Sequence, residues 1–178
     1  MDSLVLKINT ISALLTILTE IAIVIGIFLL FKKGKTDAFT QFLSRHALLF
    51  SFLIALGASL GSFFYSNVAG FKPCVLCWWQ RIFLFPQVIL LGIAVWKKDG
   101  RALLYALPLS IVGGIIALYN TYIQYGGNEL IPCSTDTESV SCAIRYVFEF
   151  GFITIPLMSL STFGALIVLA LLYRKGTQ

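Results

Sequence analysis

Cys74 and Cys77, separated by two residues, are the part of this sequence best equipped for chemistry. Positions i and i+3 share one helix face, so such thiols can open and close a disulfide across a single turn. A bridge over two intervening residues closes a tiny loop and removes little entropy from the unfolded chain. It is a poor structural staple, and a redox role is expected. Pro73 and the loop before it place the start of a helix near Cys74. Unpaired N–H groups and the partial positive charge there favour a thiolate. Arg81, four residues after Cys77, adds a permanent cation on the same face. A second pair, Cys133 and Cys142, makes four cysteines in all, for which three pairings are possible. A structural role as a loop clamp fits that second pair. A zinc site matches loosely: eight residues separate Cys133 from Cys142, and the single histidine, His46, lies far from both pairs in sequence.

The elements that position these residues are set by composition. The chain has 178 residues, 58% hydrophobic and 12% charged, against roughly 25% charged in a soluble domain. Too little polar surface exists to face water on all sides. Five apolar runs are long enough to cross a bilayer: Ile8–Phe31, Ala47–Tyr65, Leu76–Trp96, Ala102–Tyr122 and Phe150–Tyr173. If these alternate, Lys32, Lys33, Lys35, Arg45, Lys97, Lys98, Arg101, Arg174 and Lys175 all fall on one side. Basic short loops stay cytoplasmic, which puts the N-terminus outside, the C-terminus in the cytoplasm and all four cysteines in an oxidising compartment. The net charge of +5 is then a topology signal and not a nucleic-acid surface.

The basic cluster follows the first run instead of preceding it, so that run reads as a retained helix and not a cleaved leader. Glu20 near its middle reads first as a hydrogen-bonded carboxyl at a packing face. Gly57, Gly61, Gly113 and Gly114 read as sites of close helix packing. Trp78 and Trp79 suit the interfacial aromatic belt. For Arg81, snorkelling to the headgroups is the plain alternative to stabilising a thiolate and a carbonyl-bearing ligand. Between Ser141 and Phe150, Arg145 and Glu149 fit a short interfacial helix, and a plain re-entry into the fifth helix fits equally.

The run Cys74-Val75-Leu76-Cys77-Trp78-Trp79-Gln80-Arg81, followed by Ile82-Phe83-Leu84-Phe85-Pro86, resembles the signature of the DsbB family of membrane disulfide-generating enzymes. Glu149-Phe150-Gly151-Phe152-Ile153-Thr154-Ile155-Pro156 resembles the family's entry to its last helix. The resemblance covers roughly residues 40–175. It implies an all-α membrane protein with a four-helix bundle (37–178) and one additional N-terminal helix (1–36). The vitamin K epoxide reductase family is the nearest competitor, but there the Cys-x-x-Cys follows the loop pair, the reverse of the order here.

What the resemblance implies is a quinone-dependent oxidoreductase of the bacterial cytoplasmic (inner) membrane, with Cys74, Cys77, Cys133 and Cys142 as catalytic residues. A DsbA-like thioredoxin-fold partner would attack the Cys133–Cys142 bridge, and electrons would pass to Cys74–Cys77. Cys77 and Arg81 would then meet a lipid quinone, ubiquinone or menaquinone. The non-enzymatic alternative is a membrane scaffold or assembly factor whose disulfides are structural.

Overall fold

The computed structural model describes residues 3–31, 38–129 and 140–176. Those residues form five long helices: α1 (Ser3–Phe31), α2 (Ala38–Asn67), α3 (Val75–Lys97), α4 (Ala102–Gln124) and α5 (Ile155–Gly176). The shortest has 22 residues, about 33 Å at 1.5 Å per residue, enough for a hydrocarbon core of about 30 Å. Outward-facing positions carry large apolar side chains, among them Phe28, Ile89 and Ile115, each more than 60% exposed. A surface of that kind is stable against lipid and not against water. The protein is a multi-pass, all-helical membrane protein.

Helices α2, α3, α4 and α5 form a ring of neighbours, and α1 packs against α5. Phe163, Leu166, Leu169 and Ala170 of α5 join Leu84 and Leu91 of α3, Leu103 and Ala106 of α4, and Ala47 and Ala55 of α2 in one core. Gly113 admits the Phe163 ring so closely that a Cβ there would collide with it. At Gly57 and Gly61 a Cβ would meet nothing within 4 Å. Those two glycines face an internal cavity, so the expectation of close packing holds at Gly113 and fails at Gly57 and Gly61.

The helix ends differ from the apolar runs for identifiable reasons. Helix α2 starts at Ala38, because its first two turns are partly exposed and need no apolar run. Helix α5 starts at Ile155, five residues later than Phe150. Phe150 and Gly151 hold φ of 53° and 80°, and Glu149 and Ile153 exchange backbone hydrogen bonds around that turn. Two successive residues at positive φ cannot continue a right-handed helix. Pro156 is accommodated in the first turn, where no intrahelical N–H is lost.

One end of the bundle gathers Arg45, the α3–α4 turn with Lys97, Lys98 and Arg101, and the α5 terminus with Arg174 and Lys175. Lys175 Nζ donates to the carbonyls of Leu29 (2.8 Å) and Leu30 (3.1 Å), closing the C-terminus of α1 with a cation. The loops at the opposite end carry Cys74 and Cys142. Lys32, Lys33 and Lys35 lie outside the described residues, as does Cys133.

Candidate functional site

Cys74 is the residue immediately before α3, extended at φ −74° and ψ 172°. Cys77 follows on the first turn, and the two sulfurs are 3.4 Å apart. A disulfide needs about 2.05 Å, so only a small displacement of Cys74 would close the bond. Cys142 is 1% exposed and packs against Cys74 and Ile123. The Cys74 sulfur therefore touches two other thiols.

Those contacts hold the Cys74 thiol far below its ordinary range, down to about 3. The hydrogen bond from the Cys142 thiol is the largest cause and that from Cys77 the second. Burial opposes the shift, and the first backbone N–H groups of α3 assist it. The expected helix-end effect is present, but a neighbouring thiol outweighs it. Three sulfurs on one spot favour one thiolate and two donors.

Helix α4 supplies two residues that the sequence reading missed. Asn120, fully buried, points Nδ2 at the Cys77 sulfur at 3.7 Å. Gln124, one turn on, donates Nε2 to the carbonyls of Cys142 (3.4 Å) and Ile144 (3.0 Å). Arg145 returns the favour, its Nε donating to the Gln124 carbonyl at 2.5 Å while its guanidinium covers Phe148. Of the two readings open for Ser141–Phe150, the short helix does not form: Gln124 takes the Cys142 and Ile144 carbonyls that a helix would need, and the segment folds as isolated turns. The polar positions 120 and 124, four apart within an apolar run, were the available signal.

Arg81 is neither free nor snorkelled. Its Nε donates to Ser62 Oγ (2.9 Å), and its Nη2 donates to the Ser62 carbonyl (3.1 Å) and to Ser66 Oγ. The guanidinium also lies over Trp78, 5.0 Å from the ring centre. Helix α2 thus anchors the cation with two serines four residues apart, a signal overlooked in the sequence. Glu20 accepts a hydrogen bond from Ser161 Oγ at 3.0 Å, tying α1 to α5 as the packing-face reading expected.

Cys74, Cys77 and Arg81 line one cavity of about 450 Å³. Leu53, Ile54, Ala58 and Leu84 make its walls apolar, with Ser62, Gln80 and Arg81 as polar points. The stacked rings of Tyr65, Phe71 and Tyr146 lie at the cysteine end, with centroid spacings of 5.9 and 4.8 Å. A redox thiol pair at the mouth of an apolar cavity with a fixed cation can pass electrons to a flat, carbonyl-bearing molecule.

The family model for disulfide bond formation protein DsbB matches residues 44–173. The chain belongs to this family. The probable disulfide formation protein of Chlamydia caviae is 42% identical over 133 residues, which cover 74% of this chain and 94% of that protein. Disulfide bond formation protein C of Bacillus subtilis is 39% identical over 130 residues, covering 72% of this chain and 91% of its own length. The probable disulfide formation protein C of Bacillus cereus is 40% identical over 132 residues. No solved structure matches. The match spans α2 to α5 and excludes α1, so the cysteine site belongs to the shared core of this DsbB-family protein.

Proposed function

We propose that this DsbB-family protein reoxidises a DsbA-like thioredoxin-fold thiol oxidase outside the cytoplasm and passes the electrons to a lipid quinone. The observation that carries the reading is that Cys74 and Cys77, with sulfurs 3.4 Å apart, line the same apolar cavity as Arg81. The cavity, about 450 Å³, falls within the range of small-molecule sites, and its apolar walls and few donors suit a ring bearing two oxygens. When bound, a quinone supplies the two-electron oxidant that no side chain can.

The chain's own residues supply the rest. The partner's thiolate attacks the Cys133–Cys142 bridge and forms a mixed disulfide, releasing the other cysteine as thiolate. Cys74 is the relay, because it touches both Cys142 and Cys77. The factors that hold its thiolate also make it a good leaving group in exchange. Asn120 donates to the Cys77 sulfur and steadies it as charge develops. Arg81, fixed by Ser62 and Ser66, presents a positive charge to the cavity without having to be immobilised during reaction. With the basic end of the bundle cytoplasmic, the protein lies in the bacterial cytoplasmic membrane with the cysteines and the N-terminus outside.

The test is reconstitution with a reduced thioredoxin-fold partner and either ubiquinone or menaquinone, followed by thiol mass spectrometry. Both pairs should cycle, and quinone should restore their oxidised forms. Quinone-dependent oxidation that survives in Cys77→Ser would exclude the route. Arg81→Ala should impair quinone use at least tenfold more than partner exchange; equal loss of both would make Arg81 a folding residue.

A further inference from the structure

Helix α1 lies outside the family match, yet Ser12, Leu15, Thr16 and Thr19 line the same cavity as Cys77 and Arg81. Ser161 lines it from α5 and donates its hydroxyl to Glu20 of α1. Ser161 lies six residues into α5 and Arg81 six residues into α3. At 1.5 Å per residue each is about 9 Å below the cysteine end of its helix. The cavity therefore has two polar poles at similar depth, one cationic on α2 and α3, the other a carboxyl behind a hydroxyl on α1 and α5.

The hydroxyl is built to relay. Ser161 has one proton and two acceptors within reach, Glu20 Oε1 at 3.0 Å and the Leu157 carbonyl at 3.0 Å. A hydroxyl can also accept while it donates. When the Glu20 carboxyl is protonated, it can donate to Ser161 Oγ, and the Ser161 proton is free to turn into the cavity.

We propose that the Glu20–Ser161 pair, whose carboxyl comes from a helix outside the family match, hands a proton to the quinone oxygen remote from Arg81. The inference rests on the quinone reading above. In the balanced step the Cys74 thiolate and the Cys77 thiol lose two electrons and one proton as their S–S bond forms. A bound quinone would accept both electrons and would take the Cys77 proton at the oxygen beside Arg81. The second proton reaches the remote oxygen from Ser161 Oγ, which is refilled from the Glu20 carboxyl. Glu20 then recovers a proton from water at the cysteine end, which balances the negative charge that the Cys74 thiolate brought. Ser161 is the contact residue, and Glu20 acts through it.

The test uses the full chain in lipid with a short-chain benzoquinone. Glu20→Gln keeps an acceptor for Ser161 and so keeps α1 docked, but it cannot supply a proton. It should lower kcat for quinol formation by roughly 10²-fold, the lower end of general-acid contributions, with KM for the quinone within twofold of wild type. Ser161→Ala should do the same. Exchange with the partner, read by trapping without quinone, should not change. In infrared difference spectra, adding the quinone should shift a carboxyl stretch that Glu20→Gln lacks. Wild-type kcat in Glu20→Gln, no responding carboxyl band, or loss of exchange together with quinol formation would overturn the proposal. If the wild-type protein reduces no quinone at all, the underlying function fails instead.

Discussion

At the residue scale the chemistry depends on which donors surround each sulfur. Cys142 is the leading cause of the low Cys74 pKa, so Cys142→Ala, which removes the donor, should raise it. A Cys74 pKa lowered to about 3 leaves the thiolate dominant and alkylation of the reduced protein flat between about pH 5 and 8. With the folded pKa raised, alkylation should instead slow as pH falls through the new value. A flat profile in Cys142→Ala would give the shift to the α3 terminus. Asn120 offers a second test of opposite sign. Its Oδ1 is buried without a partner and its Nδ2 serves only the Cys77 sulfur among the described residues. Asn120→Leu removes an orphaned acceptor and should leave thermal stability unchanged or higher. It also removes a donor to a developing charge, about 1.5 kcal/mol, so quinone-dependent turnover should fall roughly tenfold. A melting temperature that falls together with unchanged turnover would reverse that assignment. Cys74, Cys77 and Arg81 were legible in the sequence because their spacing is local. Asn120 was not, because it reaches the site across 43 positions of chain.

At the element scale the sequence revealed the helices and hid what joins them. Five apolar runs predict five helices, since each run is longer than a bilayer requires. Their ends were misplaced where the deciding force was not hydropathy: a positive-φ turn at Phe150 and Gly151, and polar first turns of α2. Of the two readings open for the segment after residue 140, the helix is absent for a related reason, since Gln124 takes the Cys142 and Ile144 carbonyls. Gln124 is therefore the tether that keeps Cys142 against Cys74. Gln124→Ala should release the Cys142 and Ile144 carbonyls and slow exchange between the two cysteine pairs about tenfold, matching the loss of one to two buried hydrogen bonds at about 1 kcal/mol each. Trapping experiments should show partner attack on the loop pair continuing while its disulfide accumulates reduced. Loss of partner attack itself would show that Gln124 shapes the docking face and not the transfer.

At the scale of the whole molecule, identical sequence signals have opposite meanings on two sides of the bundle. Glycines in transmembrane helices ordinarily let backbones approach, and Gly113 does so against Phe163. Gly61 instead borders the cavity, where a Cβ would meet nothing within 4 Å. Only tertiary packing, which sets Phe163 of α5 against Gly113 of α4 and no side chain against Gly61 of α2, distinguishes them. Leucine at the two sites separates the roles. Gly113→Leu must displace a fully buried ring and should lower the melting temperature sharply, by the several kcal/mol that overpacking costs at its upper end. Gly61→Leu gains helix propensity, about 0.8 kcal/mol, and should melt no lower than wild type. Its side chain would occupy the space beside Ser62 that the proposed quinone would fill, so quinone KM should rise at least tenfold while exchange among the cysteines continues. Gly61→Ala should fall between the two in KM. Wild-type quinone kinetics in Gly61→Leu would place the electron acceptor elsewhere on the protein, whatever the cysteines do.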